Sequence, residues 1–330
     1  MSKKKKQEAE GTKAKKHSSN FFVQLFKTKP LGGFGLVVLI IILLIAIFAD
    51  VIAPYPMVDG SLQIDAYNKL ASPSLAHPLG TDTLGRDLLS YMIYGARTSA
   101  VLCIACTLIS TLISVIIGVS SAVIGGKFDL ILQRFVDAWQ CIPATLITLI
   151  MMSLMGNGTL QLIVAISVPA GIGGSRMIRS TAMSVKDAGY VKMSEMLGAK
   201  TGWKMMKHVI PNITPVIIIQ MAGSLGGVVM QEASMNFLGY GVEVGTPSWG
   251  ALITDTGRMY MFSHPMLAWA PGVAIALMVF SSAMLGDAVR DLLDPRLKGG
   301  VGNYNAKKLR KIAAKIMAKE SEEEDVSAEA

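Results

Sequence analysis

Residues 36–48 read LVVLIIILLIAIF and carry no charge, at the centre of an apolar segment from about 34 to 53. A helix needs about 20 apolar residues to cross the hydrocarbon core of a bilayer. The segment therefore predicts a membrane-spanning helix. It starts about thirty residues into the chain, and its apolar core is longer than that of a secretory signal peptide, so we expect a retained anchor.

Five more segments are apolar and long enough to span a membrane: about 99–124, 131–155, 160–178, 213–237 and 266–285. The 330-residue chain is 52% hydrophobic and only 16% charged, whereas soluble domains average about 25% charged residues. We predict an all-α membrane protein with six transmembrane helices. Pro143 is expected to kink the third span, because proline lacks the amide hydrogen that a helix interior uses. Interruptions of the fourth and fifth spans are expected at Pro169, Gly171, Gly173, Gly174, Gly223, Gly226 and Gly227.

The distribution of Lys and Arg predicts the orientation of these spans. If the N-terminus is cytoplasmic, the inner segments hold 9 (residues 1–30), 2 (125–134), 7 (176–212) and 9 (286–330) of the 31 basic residues, and the outer loops hold only 4. This excess predicts that both termini are cytoplasmic. The basic residues are expected to interact with the headgroups of membrane lipids. The sequence has no basic segment interleaved with aromatic residues, so it gives no indication of nucleic-acid binding.

The inner loop between the fourth and fifth spans, residues 179–212, is much longer than a simple connection between helices. Tyr190, Met193, Met196 and Leu197 recur at helical spacing, and Gly198 follows them at a position typical of a helix end. A second helical run, residues 203–209, is expected to end before Pro211. The pattern predicts two short helices, which could lie on the membrane surface or form a rigid contact with a partner.

The spacing within this loop resembles the coupling loop of permease subunits of ATP-binding-cassette importers. Lys192-Met193-Ser194 stand where the family has Glu-Ala-Ala, and Gly198 and Ile210-Pro211 follow at the family's distances. Lys192 thus replaces the family's Glu, and Glu195 lies three residues later. In the family, this helix docks in a groove of the ATPase subunit. The resemblance implies an ATPase contact through Tyr190, Lys192, Met193, Glu195, Gly198, Ala199 and Pro211.

Further motifs resemble one branch of that family, the C-type subunit of oligopeptide and dipeptide permeases, over about residues 31–299. They are His77-Pro78-Leu79-Gly80-Thr81-Asp82, Gly85-Arg86-Asp87, Tyr94-Gly95-Ala96-Arg97, Glu232-Ala233-Ser234, Phe237-Leu238-Gly239, Thr246-Pro247-Ser248-Trp249-Gly250, Gly286-Asp287, Arg290-Asp291 and Asp294-Pro295-Arg296. The expected organisation is a basic cytoplasmic tail (1–30), a six-helix permease domain (31–299) and a cytoplasmic extension (300–330). In that extension a basic amphipathic helix, which could contact lipid or the ATPase, precedes an acidic tail.

The resemblance implies a type I importer bundle in a bacterial or archaeal cell membrane. The chain would form half of a pathway for di- or oligopeptides, and a homologous permease subunit would form the rest. The other implied partners are two ATPase subunits and an extracytoplasmic substrate-binding protein. The chain lacks the G-x-x-x-x-G-K-[ST] loop that cradles nucleotide phosphates. ATP and magnesium are therefore expected in the partner subunits, with no cofactor, metal or catalytic site in this chain.

Charged residues near the ends of the spans are candidates for the pathway or its gate. Arg134 and Asp137 can pair on one helix face, as a structural ion pair or as part of a gate. Glu232 could lie at the outer mouth of the pathway or support the packing of the loop that follows it. Pro143 belongs to the same set of pathway candidates. The long outer loop, residues 54–97, could dock the binding protein or form a self-packed cap.

Two other functions are compatible with parts of this pattern. The same machinery could import nickel, glutathione or another small solute, because the fold does not determine the ligand. An ion-coupled secondary transporter is an alternative of a different class. It would be expected to carry ionisable groups at mid-membrane and an inverted internal repeat, and neither is evident in the sequence.

Overall fold

The computed structural model describes residues 21–58, 61–243 and 245–293. The helices are α1 (Phe21–Thr28), α2 (Pro30–Ile47), α3 (Ala49–Ile52), α4 (Leu88–Ile124), α5 (Gly126–Gln140), α6 (Ala144–Met155), α7 (Thr159–Lys186), α8 (Gly189–Met196), α9 (Thr201–Lys204), α10 (Ile210–Phe237), α11 (Trp249–Leu252), α12 (Arg258–Tyr260) and α13 (Met266–Leu293). Strands β1 (Met57–Val58) and β2 (Ser61–Leu62) pair antiparallel, and π-helical turns occupy Met205–Val209 and Ile253–Gly257. The basic tail up to residue 20, the predicted features of 300–330 and the Asp294-Pro295-Arg296 motif lie outside the described residues.

Five helices of the described chain are long and apolar enough to cross a membrane: α2, α4, α7, α13 and the continuous rod of α9, its π turn and α10. A sixth span exists if α5 and α6 are counted together. The predicted all-helical architecture is confirmed in this form, but the third span is not one kinked helix. Helices α5 and α6 meet at 83°. The break is complete because Pro143 has an extended backbone and starts α6 as its N-cap.

The second span begins eleven residues earlier than predicted. Helix α4 starts at Leu88, after Asp87, whose side chain accepts a hydrogen bond from the Ser90 backbone N–H (2.8 Å). This is the N-cap contact that stabilises a helix start. The 37 residues of α4 extend about 55 Å, so its first turns project beyond a hydrocarbon core of about 30 Å. The Tyr94–Arg97 motif therefore lies inside a helix and not before it.

The prediction that glycines and a proline interrupt the fourth span is wrong, because α7 is continuous. Small residues here allow α4 and α7 to pack closely. A Cβ atom at Gly171 would lie 2.6 Å from the Ile113 Cβ, and one at Gly118 would lie 2.7 Å from the Ser175 carbonyl oxygen. Ser114 Oγ also donates to the Gly171 carbonyl (2.8 Å). Such small-residue contacts are common between membrane helices. The fifth span is likewise unbroken, and Gly226 lies against the backbone of α13.

The first span packs against the last one through its glycine-rich start. A Cβ atom at Gly35 would lie 2.5 Å from the Ser281 carbonyl oxygen of α13. At the other end of α2, Arg97 Nε donates to the Ala46 carbonyl (2.9 Å) and Arg97 Nη2 to Asp50 Oδ2 (2.8 Å). The hydrogen bond from Arg97 lowers the pKa of Asp50, so this carboxylate stays charged to a lower pH than an ordinary aspartate. Both ends of the first span are thus attached to the bundle.

The outer loop before α4 is folded on itself. Asp82 accepts hydrogen bonds from the backbone N–H groups of Leu84 (2.8 Å) and Arg86 (2.9 Å) and from Arg86 Nε (2.6 Å). His77 Nδ1 lies 3.0 Å from Asp87 Oδ1. Asp82, Arg86 and Asp87 are buried. Their polar groups are satisfied within the loop, as the self-packed alternative expects.

Candidate functional site

The predicted helix–turn–helix directly follows α7, which ends at Lys186. Helix α8 ends at Met196, and Gly198 has φ +85°. The N–H groups of Gly198 and Ala199 donate to the Glu195 (2.9 Å) and Ser194 (3.0 Å) carbonyls. Glycine is favoured where a left-handed backbone closes a helix in this way. The predicted helix end at Gly198 is confirmed.

Helix α8 has two faces of different environment. Val191 is buried. Met193 and Met196, two of the four apolar residues with the predicted spacing, are 65% and 87% exposed. Tyr190 and Leu197 are exposed beside them. The result is an apolar surface held on a short, sharply terminated helix, which we call the α8 face (Tyr190, Met193, Met196 and Leu197).

The second helical run does not end before Pro211, so this prediction is wrong. Residues from Thr201 to Phe237 form one continuous rod of 37 residues. A π-helical turn at Met205–Val209 precedes Pro211, and the Ile210 N–H donates to the Met205 carbonyl. The wider turn changes the hydrogen-bond register just where proline offers no donor, so the helix continues. The loop that carries α8 is therefore joined directly to a membrane span.

Side chains attach α8 to the start of this rod. Lys204 Nζ lies 2.9 Å from Glu195 Oε1, and Lys204 is only 7% exposed. The His208 ring packs edge-on against Tyr190 (centroids 5.9 Å apart) and Trp203 (4.9 Å). We call these contacts the α8–α9 tie (Tyr190, Glu195, Trp203, Lys204 and His208). These contacts attach α8 to the rod.

The structure thus brings together six of the seven predicted coupling residues, around α8 and its terminating turn. Pro211 stands apart within the rod. Lys192, in the position of the family's Glu, forms an exposed ion pair with Asp187 (3.2 Å). Sequence analysis missed Lys204 and His208, because a contact between two helices that meet at a turn leaves no periodic pattern along the chain.

A second group of charged residues joins α5 to α7. Asp137 forms ion pairs with Arg176 and, at 3.5 Å, with Arg134. The predicted Arg134–Asp137 pair is therefore present, but Asp137 is shared with an arginine from another helix. Nearer the C-terminal end of α7, Arg179 Nε and Nη2 donate to the Asp129 carboxylate (2.7 and 2.6 Å). Bidentate pairs of this geometry are among the strongest ionic contacts. Both α7 arginines were missed as ion-pair partners.

Glu232 lies inside the protein near the C-terminal end of α10 and is 1% exposed. Its Oε1 accepts hydrogen bonds from Ser248 Oγ (2.7 Å) and Asn236 Nδ2 (2.6 Å), and Ser99 Oγ lies 3.5 Å from Oε2. Asn236 Oδ1 in turn accepts from the Val242 N–H (3.1 Å). Glu232 thus holds the loop between α10 and α11, whereas a gate role at the pathway mouth stays a prediction.

The sequence matches two family models. It matches that of the binding-protein-dependent transport system inner membrane component over residues 110–299. It also matches that of the N-terminal transmembrane domain of oligopeptide transport permease C over residues 22–73.

Curated relatives are similar along most of their length. The oligopeptide transport system permease protein OppC of Bacillus subtilis is 32% identical, over 83% of this chain and 88% of the relative. The dipeptide transport system permease protein DppC of the same organism is 32% identical, over 82% and 84%. The nickel transport system permease protein NikC of Escherichia coli K12 is 31% identical, over 80% and 93%.

A solved structure shares the fold. A chain of the inward-facing MetNI methionine ABC transporter superposes with a TM-score of 0.50 at 17% identity, covering 61% of this chain and 96% of that one. This similarity supports a type I importer permease fold for the core. With several candidate membrane spans, a family model matched over more than half of the chain and curated relatives above 30% identity, the chain belongs to the family of binding-protein-dependent transport system inner membrane components, as a multi-pass protein of the cell membrane.

Proposed function

We propose that this chain is one of two homologous permease subunits of an ATP-driven importer that takes di- or oligopeptides from a binding protein. The observation that carries the proposal is the α8 face, an exposed apolar surface on a helix joined rigidly to a membrane span. Exposed apolar patches of this kind mark protein contacts. The names of OppC and DppC, each 32% identical, support peptides as the substrate.

The α8–α9 tie explains how an ATPase could drive the permease. A partner that moves α8 also moves α9, because Glu195 and Lys204 join the two helices. The rod then carries this displacement from α9 through α10 into the membrane, without a flexible loop that would absorb it. Rigid-body movement of this type underlies most alternating transitions. Methionines in the α8 face suit a joint whose socket changes shape, since their unbranched thioethers repack easily.

The other components of the importer would be partner proteins. Two ATPase subunits would bind ATP and magnesium and receive the α8 faces of the two permeases. A binding protein would deliver the substrate to the outer loops, and this chain would hold no cofactor. The distribution of Lys and Arg supports an orientation in which α8 and both termini are cytoplasmic.

Uptake into membrane vesicles that contain the complete importer tests this function. We expect accumulation of labelled peptides that requires ATP and the binding protein. Accumulation of nickel under the same conditions, with no peptide uptake, would indicate that the importer carries nickel and not peptides. Nickel is the substrate in the name of NikC, which is 31% identical. Uptake that persists without ATP but requires an ion gradient would contradict the proposal.

A further inference from the structure

Helix α6 is too short to cross a membrane by itself, which bears on the depth of the break between α5 and α6. Helix α6 has 12 residues and so spans about 18 Å, whereas the hydrocarbon core is about 30 Å thick. Its far end lies beside the loop after α10, because the Gly158 N–H donates to the Gly241 carbonyl (2.9 Å) and Asn157 Nδ2 to the Gly239 carbonyl (3.1 Å). The break at Cys141–Pro143, which we call the elbow, therefore lies inside the hydrocarbon layer.

The elbow is exposed on the surface of the chain. Cys141, Ile142 and Pro143 are all exposed, and the first turn of α6 is exposed with them. A helix that ends and restarts leaves terminal carbonyl and N–H groups without intrahelical partners. Such backbone is tolerated at membrane depth only where protein or water satisfies it, and not where it faces lipid tails. The elbow should therefore face water or another subunit.

Two cations and one anion lie on α5 and α7, within about two helical turns of the elbow. Asp137 is held by Arg176 from α7, and Gln140 Nε2, at the end of α5, donates to the Gly173 carbonyl (3.3 Å) in the middle of α7. Among the described residues, Arg134 has only the 3.5 Å contact with the same Asp137, and its side chain is 77% exposed. The group of Arg134, Asp137 and Arg176 thus carries one net positive charge, next to a largely exposed guanidinium. Exposed charge near membrane depth typically borders an aqueous path.

We infer that the elbow lines the water-filled transport pathway and that Arg134 there binds a carboxylate group of the passing solute. The inference deepens the proposed import function and rests on it. A guanidinium matches a carboxylate in a bidentate, charge-assisted geometry. Arg176 prevents Asp137 from neutralising Arg134, and so positions the cation for a ligand from outside the chain.

This chemistry selects among the solutes that the family carries. A peptide with a free C-terminal carboxylate is attracted to the cluster, and so is another carboxylate-bearing solute. A free divalent metal cation is repelled by the uncompensated charge. The pathway of this chain therefore favours carboxylates over free metal ions.

The native Cys141 allows a direct test of water access. The other two cysteines, Cys103 and Cys106, are buried. Permeabilised membranes with the complete importer would be treated with an anionic methanethiosulfonate (ethylsulfonate), its cationic counterpart (ethyltrimethylammonium) and lipid-soluble N-ethylmaleimide. We expect Cys141 to react with both charged reagents, faster with the anion. The C141S variant should show no labelling and so identifies the reacting residue.

The charge of Arg134 should be measurable in the ratio of the two rates. Arg134 precedes Cys141 by seven residues, which is about 10 Å along a helix, so removing its charge should lower the anion-to-cation rate ratio roughly fourfold at low salt. R134Q should show this loss and R134K should not. The matched control is K127Q, which removes another exposed cation of α5; it lies about 21 Å from Cys141 along the helix, so its loss should lower the ratio no more than about twofold.

Other labelling results would overturn the inference. Reaction with N-ethylmaleimide alone would place the elbow against lipid. Protection from all three reagents in the complete importer would place it in a subunit contact. If wild type and R134Q had the same anion-to-cation rate ratio, Arg134 would not be the anion site.

An uptake experiment distinguishes failure of the inference from failure of the proposed function. Uptake of trialanine and of its C-terminal amide would be compared in vesicles with the same binding protein. We expect R134Q to lower the ratio of free to amidated peptide several-fold and K127Q to leave it unchanged. If wild type imports trialanine but R134Q leaves the ratio intact, only the inference fails. If wild type imports neither peptide, the proposed function fails, and the labelling rates still decide the chemistry of the elbow.

Discussion

Replacing Lys204 by methionine should reduce transport much more than ATP hydrolysis. The contact between Lys204 Nζ and Glu195 Oε1 is 2.9 Å long, with the lysine side chain 9% exposed and the glutamate 62% exposed. A hydrogen bond to a charged group contributes about 1.5–3 kcal/mol, and exposure of one partner reduces this to about 1 kcal/mol. That is about a fivefold shift toward a detached α8. The methionine keeps the apolar stem packed, so the rod should remain folded.

The assay is the ratio of peptide imported to ATP hydrolysed, in proteoliposomes that contain the complete importer. We expect K204M and E195Q to lower this ratio to a similar extent. The double variant should lose no more than either single one, because residues that act through one contact are not additive. K207Q is the matched control, since Lys207 is an exposed lysine of the same rod and one exposed charge contributes little. Additive losses in the double variant, or an equal loss in K207Q, would refute the tie as the route of coupling.

Substitutions at three further positions test other parts of the structure. Gly198→Val places a β-branched side chain at φ +85°, which costs about 1–2 kcal/mol or more. It should uncouple ATP hydrolysis from uptake with normal membrane insertion, whereas normal uptake would contradict a coupling role. Asp129→Asn should lower stability in detergent by on the order of 1–3 kcal/mol because Arg179 loses its charged partner, and an unchanged melting temperature would show that the pair is dispensable. Glu232→Ala should destabilise the outer end by about 1–3 kcal/mol by leaving buried donors such as Ser248 Oγ unpaired. Glu232→Gln should retain most of the stability, and equal melting temperatures for the two variants would contradict the loop-packing role.

Much of the architecture could be predicted from the sequence because the relevant signals are local. An apolar segment of about 20 residues specifies a span wherever it occurs, and residues 36–48 needed no information from the rest of the chain. The end of α8 at Gly198 was predictable for the same reason, since a left-handed residue after a periodic run is a property of a few neighbours. The resemblance to a permease coupling loop depended on spacing alone, and the family model confirms the family.

The errors arose where one residue type has two possible roles. Glycine in a membrane segment can break a helix or let another helix approach. At Gly171 the decision came from Ile113 on the facing helix. Pro211 was expected to end a helix, but a π turn two residues earlier absorbs its missing donor. In both cases the sequence shows the residue and not the partner that decides its effect.

The contacts of the charged residues also show which features local sequence determines and which only the tertiary structure decides. Composition and local order determined that this is a helical membrane protein with a short helix between its fourth and fifth spans. Only the tertiary structure decided that Asp137 shares its charge with Arg176, that Lys204 attaches α8 to the rod and that Glu232 is enclosed by Ser248 and Asn236. The physical reason is that helix formation and membrane insertion are governed by neighbours along the chain, whereas the strength and direction of an ionic contact depend on distance and burial in space.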